Sequence, residues 1–386
     1  MWDTSNALAK LGVNVFVVTT HLDPLLLKPH PRVKIYKVPF GHETTNLDQS
    51  TMMKIYLYSL PLLILKKIDV IYFPCVQVSS PFSIFRFGKV LVETAVETWD
   101  YSIPEYREEL YVDRKLKFSE AGISPRKKTI LERIFDKLTV WFYSFFCLNS
   151  EYPKNVDAFL CRTEGLRRHL ASILGTTRLY VLPVGVNTEE FRPGGDVIKR
   201  DPGKIIFLFA GSISHRKGIF YLVEAFNRLS QKYSNVELWV VGQGAPETVE
   251  KLRGRIRPGA AVSWKGIVPL REIHRYVGAC DVYINVSLVG EFVPVETSVT
   301  EAMACAKPAI VHKRPVYEDI RSETGMLLVE PKNVEDLYAV MEKLLLDPQL
   351  RKNIGERSRR CVEQKFTLEH AADTLYQIFH FLVYKN

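Results

Sequence analysis

Short apolar runs rich in β-branched and aromatic residues alternate along this chain with longer stretches of helical period. In the first half the strand candidates are Val13–Thr20, Val33–Val38, Asp69–Pro74, Lys89–Ala95 and Asp157–Arg162. In the second half they are Ile205–Ala210, Val236–Gly242, Ala261–Trp264, Asp281–Val286, Pro308–His312 and Met326–Val329. Between them, Ile219, Leu222, Val223, Phe226 and Leu229 recur at the spacing of one helix face, and Leu337, Val340, Met341 and Leu344 repeat it. This alternation predicts an α/β fold with parallel sheets, because parallel neighbours need a crossover and a helix is the usual one.

The pattern breaks at Leu182-Pro183-Val184-Gly185-Val186-Asn187, followed by Phe191-Arg192-Pro193-Gly194-Gly195 and a polar stretch to Lys204. Proline and glycine at that density before a new strand predict a linker. Two doubly wound domains on either side, with a cleft between them, would receive ligands at the C-terminal ends of their strands. Residues 101–150 depart from the alternation. Within them, Lys127–Phe146 puts Ile130, Leu131, Ile134, Phe135, Leu138, Phe142 and Phe145 on one helix face, with Lys127, Lys128, Arg133 and Lys137 off it. A basic amphipathic helix of this kind either covers a sheet or rests on a membrane surface.

The 386 residues are 47% hydrophobic and 25% charged, enough for two domains with proper cores and unlike a disordered chain. The net charge of +9 is spread evenly, with 24 basic against 20 acidic residues in 1–190 and 28 against 23 in the rest. No basic arm therefore argues for nucleic acid, whereas a nucleotide diphosphate or an acidic membrane surface suits a mildly basic protein. The cysteines Cys75, Cys147, Cys161, Cys280, Cys305 and Cys361 form no CxxC and sit mostly in apolar runs, as small buried hydrophobes do in a reducing compartment. The N-terminus reads as no signal peptide. The apolar runs Tyr56–Leu65 and Leu138–Leu148 fall short of the ~20 residues a membrane span needs. The expectation is a cytoplasmic protein, with peripheral contact at the inner face of the membrane if the amphipathic segment lies there.

Two motifs carry candidate chemistry. Phe209-Ala210-Gly211-Ser212-Ile213-Ser214-His215-Arg216-Lys217-Gly218 closes a strand and opens the Ile219 helix. Unpaired N–H groups at a helix start, joined by two cations and by glycines that allow close approach, suit a phosphate. It is no Walker A loop, since GxxxxGK[ST] is absent. The second motif, Gly290-Glu291-Phe292-Val293-Pro294-Val295-Glu296-Thr297-Ser298-Val299-Thr300-Glu301-Ala302-Met303-Ala304, follows the Asp281–Val286 strand. A carboxylate at a helix start can accept two hydrogen bonds from a ribose diol, and one in the preceding loop can hold sugar hydroxyls. A first-turn glutamate is equally explained by the helix dipole alone.

With these motifs in order, the sequence resembles the retaining glycosyltransferases of family four, which have the GT-B fold. Pro183 to Pro193 is similar to that family's "NGVD…F.P" segment, and Gly211 to Gly218 to its strand–loop–"KG" motif. Leu238–Gly244 resembles the "VVGxG" turn, Trp264-Lys265-Gly266 the base-binding turn, and Glu301-Ala302-Met303-Ala304 with Pro308 the "EAMAxGxPV" helix. Thr367–Tyr384 looks like the helix that crosses back to the N-terminal domain. The resemblance implies an acceptor-side Rossmann-like domain over 1–185, a nucleotide-sugar-binding one over 186–366, and a returning helix over 367–386. Because Ser5–Leu11 looks like the family's first helix, the N-terminal domain is expected to lack its first strand and glycine-rich loop.

The roles the resemblance implies fall on matching positions. Lys217 would hold the donor diphosphate with Arg216 beside it, and Gly211, Ser212 and Gly242 would line the same turn region. Gly266 would lie against the nucleobase, and Glu301 would bind the ribose. The family's other glutamate, with seven residues between it and the helix glutamate, has Val293 in its place, so Glu291 takes that role, with Glu296 as the alternative. Ala306 replaces a usual glycine. Where many members carry a cleft histidine stands Val96-Glu97-Thr98-Trp99-Asp100, making Glu97 or Asp100 the acceptor-side polar group. The implied activity is transfer of a hexosyl group from a UDP- or GDP-sugar to a glycan or lipid-linked hydroxyl with retention. Neither a metal nor another cofactor is expected. Rival readings are a GT-B epimerase or phosphorylase, and a non-catalytic relative that binds nucleotide-sugar or a partner.

Overall fold

The strand and helix alternation of the sequence reappears in the computed structural model, which describes residues 2–19, 29–37, 49–66, 68–76, 90–95, 156–174, 178–288 and 293–384. Each predicted strand is found within two residues of its expected ends. One more, β6 below, is only three residues long, too short to carry a readable alternation. The chain passes from a first compact unit to a second between Pro183 and Val184 and returns between Thr367 and Leu368.

In the first unit α1 (Trp2–Lys10) precedes β1 (Val15–Thr19) and β2 (Val33–Lys37), which pair in parallel. After α2 (Gln49–Leu65) come β3 (Val70–Val76), β4 (Val90–Ala95), β5 (Ala158–Cys161), α3 (Glu164–Leu174) and β6 (Leu179–Val181). These four strands form a second parallel sheet in sequence order. The final helix, Leu368–Tyr384, belongs to this unit. It turns Ala371, Ala372, Leu375, Ile378 and Leu382 onto a core with Ala7 and Leu8 of α1, Val92 of β4, and Ala158 and Leu160 of β5. No helix among the described residues is long and apolar enough to cross a membrane.

The second unit runs β7 (Ile205–Ala210), a 3₁₀ turn at His215–Lys217, α4 (Ile219–Lys232), β8 (Val236–Val241), α5 (Pro246–Arg253), β9 (Val262–Gly266) and α6 (Ile273–Ala279). It continues with β10 (Val282–Asn285), α7 (Thr297–Ala304), β11 (Ala309–His312), α8 (Pro315–Thr324), β12 (Leu327–Val329), α9 (Val334–Leu346) and α10 (Pro348–Lys365). Its six strands lie in the order β9-β8-β7-β10-β11-β12, all parallel. That order reverses direction between β7 and β10, which makes their C-terminal ends a topological switch point.

Side chains along these strands alternate between two cores. Phe207 and Phe209 of β7 join Leu238, Val240, Val282 and Ile284 on one face, where α4 packs Leu222, Val223, Phe226 and Leu229. Ile206 and Leu208 join Trp239, Val241 and Tyr283 on the other, where α7 packs Val299, Ala302 and Met303. Both faces of the sheet are covered by apolar packing, and truncating the fully buried Phe226 of α4 to alanine would cost about 3–5 kcal/mol. The Pro183–Pro193 stretch is no loose tether. Val186 and Phe191 are buried, Val186 N–H donates to Phe366 O at 2.8 Å, and an Arg359 Nη1–H donates to Phe191 O at 2.9 Å.

Candidate functional site

At the switch point the loops leaving β7, β8 and β10 are fastened to one another through their backbones. Gly211 N–H donates to Val241 O at 3.0 Å, Ile213 N–H to Gln243 O at 2.7 Å, and Gly242 N–H to Gly266 O at 2.7 Å. Gly242 has φ +124°, and a Cβ there would stand 1.9 Å from Gly211 O, so no other residue fits. Gly218 does the same on the other side. Its φ is +71°, and a Cβ would stand 2.1 Å from Val286 O, in the loop after β10. Between these two contacts runs the 3₁₀ turn His215–Lys217, directly before the first turn of α4.

Arg216 and Lys217 are partly buried on that turn, and Leu288 N–H donates to Arg216 O at 2.7 Å, across the switch point. His215 stacks flat on Phe220, 4.1 Å between centroids, and the Arg255 guanidinium lies over the same ring. Ser214 is 3% exposed, and its hydroxyl has no hydrogen-bond partner. A buried hydroxyl without a partner, two cations and a helix start lie together in this turn, and a helix N-terminus of that kind attracts anions. Gly211, Ser212, Arg216, Lys217, Gly242 and Gly266 thus all lie at the C-terminal edge of β7, β8 and β9.

Glu301 sits on α7, the helix that follows β10. That helix starts at Thr297, with Glu296 as its cap, so Glu301 falls in the second turn rather than the first. The dipole effect fades beyond the first turn, and therefore does not account for this carboxylate. Burial raises the Glu301 pKa to about 8, and the nearby Glu190 carboxylate pushes it the same way. Glu190 itself has His274 Nδ1 3.5 Å from its Oε1, and Phe191 meets the His274 ring edge-on at 6.2 Å. Glu301 is partly buried and faces a second carboxylate, a setting met more often at functional sites than elsewhere.

Glu296 is placed differently. Arg314 Nη2 donates to its Oε2 at 2.5 Å, the Tyr317 hydroxyl donates to the same oxygen, and an Arg314 Nη1–H donates to Val293 O at 3.4 Å. Glu296 and Arg314 are 14% and 7% exposed at their side chains, so this is an interior ion pair under the start of α7. Glu291, Glu97, Asp100 and the amphipathic stretch 127–146 lie outside the described residues. Glu190, His274, His312, Arg314 and Tyr317 were not singled out from the sequence. They reach the site from other elements, and only Glu190, three residues after Asn187 in a recognised segment, carried a local signal. Among the described residues no three His, Cys, Asp or Glu come together as metal ligands. Cys161, Cys280, Cys305 and Cys361 are buried and unbridged, and burial pushes each thiol well above its ordinary pKa.

Known proteins share this architecture. The chain is 25% identical to the lipopolysaccharide 1,2-N-acetylglucosaminetransferase of Salmonella typhimurium over 61% of this chain and 65% of that protein. It aligns over less than two thirds of the length of the curated relatives it matches. Sucrose-phosphate synthase from Thermosynechococcus elongatus superposes with TM-score 0.73 at 18% identity, over 99% of this chain and 92% of that one. HepE from Anabaena, solved with UDP and glucose, superposes with TM-score 0.56 at 14% identity, over 89% and 85%. The fold is that of the GT-B glycosyltransferases. Residues 196–361, which hold the 3₁₀ turn, Glu296 and Glu301, match the family model described as glycosyl transferases group 1.

Proposed function

We propose that the protein transfers a hexosyl group from a UDP- or GDP-sugar to a hydroxyl of a glycan or lipid-linked acceptor, with retention of anomeric configuration. The observation that carries the proposal is Glu301, a partly buried carboxyl beside Glu190 on the helix that follows β10, the strand next to the one that ends at the Lys217 turn. In this reading Glu301 accepts hydrogen bonds from the ribose diol, and Gly266 lies against the base. Lys217, Arg216 and the start of α4 hold the diphosphate. As the sugar–phosphate bond breaks, negative charge grows on the departing diphosphate, and these same groups stabilise it. Lys217 supplies that charge without a metal. The lipopolysaccharide glycosyltransferase among the relatives favours a glycan or lipid-linked acceptor, and HepE, with its UDP and glucose, favours a uridine nucleotide.

The test is a transfer assay with a panel of UDP- and GDP-hexoses against glycan and lipid-linked acceptors, read by NMR of the new linkage. The expected result is donor consumption that needs acceptor, an α-donor giving an α-product, and loss of turnover in Lys217→Ala. Epimerised donor without acceptor would overturn the proposal in favour of an epimerase. Nucleotide binding with no transfer to any acceptor would overturn it in favour of a non-catalytic relative.

A further inference from the structure

His312 closes β11, one strand beyond β10, and is 4% exposed. Its Nδ1 stands 3.2 Å from the carbonyl oxygen of Ser287. A carbonyl can only accept, so the bond requires the ring proton on Nδ1. Burial, ahead of any other influence, lowers the pKa of this imidazole to about 4, which keeps the ring neutral. The Ser287 carbonyl and the Leu288 N–H are the two ends of one peptide group, and that N–H donates to Arg216 O at 2.7 Å. The rest of Ser287 is held as firmly. Its N–H and its hydroxyl both donate to Asn285 Oδ1, at 3.2 and 2.6 Å, and Asn285 Nδ2 donates to Ser298 Oγ of α7 at 3.4 Å.

We infer that His312 is a positioning residue for the phosphate turn: its Nδ1–H fixes the Ser287–Leu288 peptide, and that peptide fixes Arg216 with Lys217 beside it. The inference rests on the donor-site reading above and adds to it a residue from a strand that the nucleotide motifs do not include. Hydrogen bonds in series polarise one another, so the imidazole strengthens the Leu288–Arg216 bond as well as its own. A turn that must meet a diphosphate gains from such support, because cations and N–H groups act on charge only when held in place. Val286, whose carbonyl packs on Gly218, begins the same short loop, so one displacement would move both ends of the turn.

Two substitutions separate positioning from mere packing. His312→Leu keeps a buried side chain of similar bulk without the donor, and His312→Asn keeps an N–H near the place of Nδ1. Calorimetric titration of the full chain with UDP, GDP and ADP in turn should find His312→Leu roughly tenfold weaker than wild type for whichever nucleotide binds, the cost of one unmade buried bond. His312→Asn should recover most of that affinity at a similar melting temperature. ¹⁵N-histidine spectra of the wild type should show a neutral ring protonated at Nδ1, a readout that stands even if His312→Leu does not fold. Unchanged affinity in His312→Leu, or a proton on Nε2 instead, would overturn the inference and leave the donor site intact. A wild type that binds none of the three nucleotides would sink the donor-site reading and this inference together.

Discussion

Around Gly211–Gly218 the chain is held by its backbone. N–H groups pair with carbonyls of the neighbouring loops, and two glycines allow contacts that any Cβ would block. Around Val293–Glu301 it is held by side chains: Arg314 and Tyr317 on Glu296, and burial with Glu190 against Glu301. The first arrangement pins the turn that carries Arg216 and Lys217. The second ties one oxygen of Glu296 to Arg314 and Tyr317, leaving its Oε1 without a partner, and holds Glu301 in an unfavourable place. Stability and ligand readiness are therefore divided between neighbouring glutamates five residues apart, and substitutions should tell them apart.

The largest effect is expected at the backbone-held turn. Gly242→Ala sets a Cβ against Gly211 O, backbone against backbone, and should cost more than ~4 kcal/mol in urea unfolding. A loss below ~1 kcal/mol would show that the loops slide past each other freely. Next comes the interior ion pair. Arg314→Met leaves Glu296 uncompensated and should cost about 3–5 kcal/mol, most of it recovered in Arg314→Met with Glu296→Gln. Equal losses in the single and double variants would mean that the guanidinium matters through packing alone.

Glu301 should behave in the opposite sense. Its folded pKa of about 8 lies above the ordinary 4.5, so the folded chain keeps a proton that the unfolded chain loses. Stability attached to that proton is complete at low pH and drains away as pH rises towards about 8. Glu301→Gln removes the drain. It should melt roughly 2–6 °C above wild type near pH 8 and match it near pH 4, while losing nucleotide affinity. A variant less stable than wild type at both pH values would make Glu301 a structural residue like Glu296. The smallest effect is expected just beyond α7, at Ala306. This residue has φ +55° and closes the helix with Ala306 N–H to Met303 O at 3.0 Å and Lys307 N–H to Ala302 O at 2.9 Å. Ala306→Gly relieves a left-handed alanine and should add about 0.5–1 kcal/mol, measured by the same urea titration.

The same contrast explains what could be read from the sequence. A backbone-held turn announces itself locally, because the glycines that permit it and the cations it displays all fall between Gly211 and Gly218. Apolar runs such as Ile205–Ala210 announced the strands in the same local way. The side-chain-held segment did not. Glu296 is legible as the alternative sugar ligand, but nothing near it in the sequence announces Arg314 and Tyr317, 18 and 21 residues further on, which stand beside it in the fold. Glu301 looked like a first-turn glutamate until the helix proved to start at Thr297, and the residue that raises its pKa further, Glu190, lies more than a hundred positions away. The departure at Ala306 was visible, but its left-handed backbone was not.

The central claim is that the Lys217 turn and Glu301 bind the two ends of one nucleoside diphosphate. Calorimetric titration with UDP and GDP, on wild type, Lys217→Ala and Glu301→Gln across about pH 7 to 9, tests it most directly. The account predicts binding of one nucleotide class and a loss of at least ~10-fold in Lys217→Ala. Wild-type affinity should rise about tenfold over that range as Glu301 gives up its proton, with a flat profile in Glu301→Gln. Tight binding that neither substitution weakens, with the same pH profile in all three proteins, would place the nucleotide elsewhere and contradict the account.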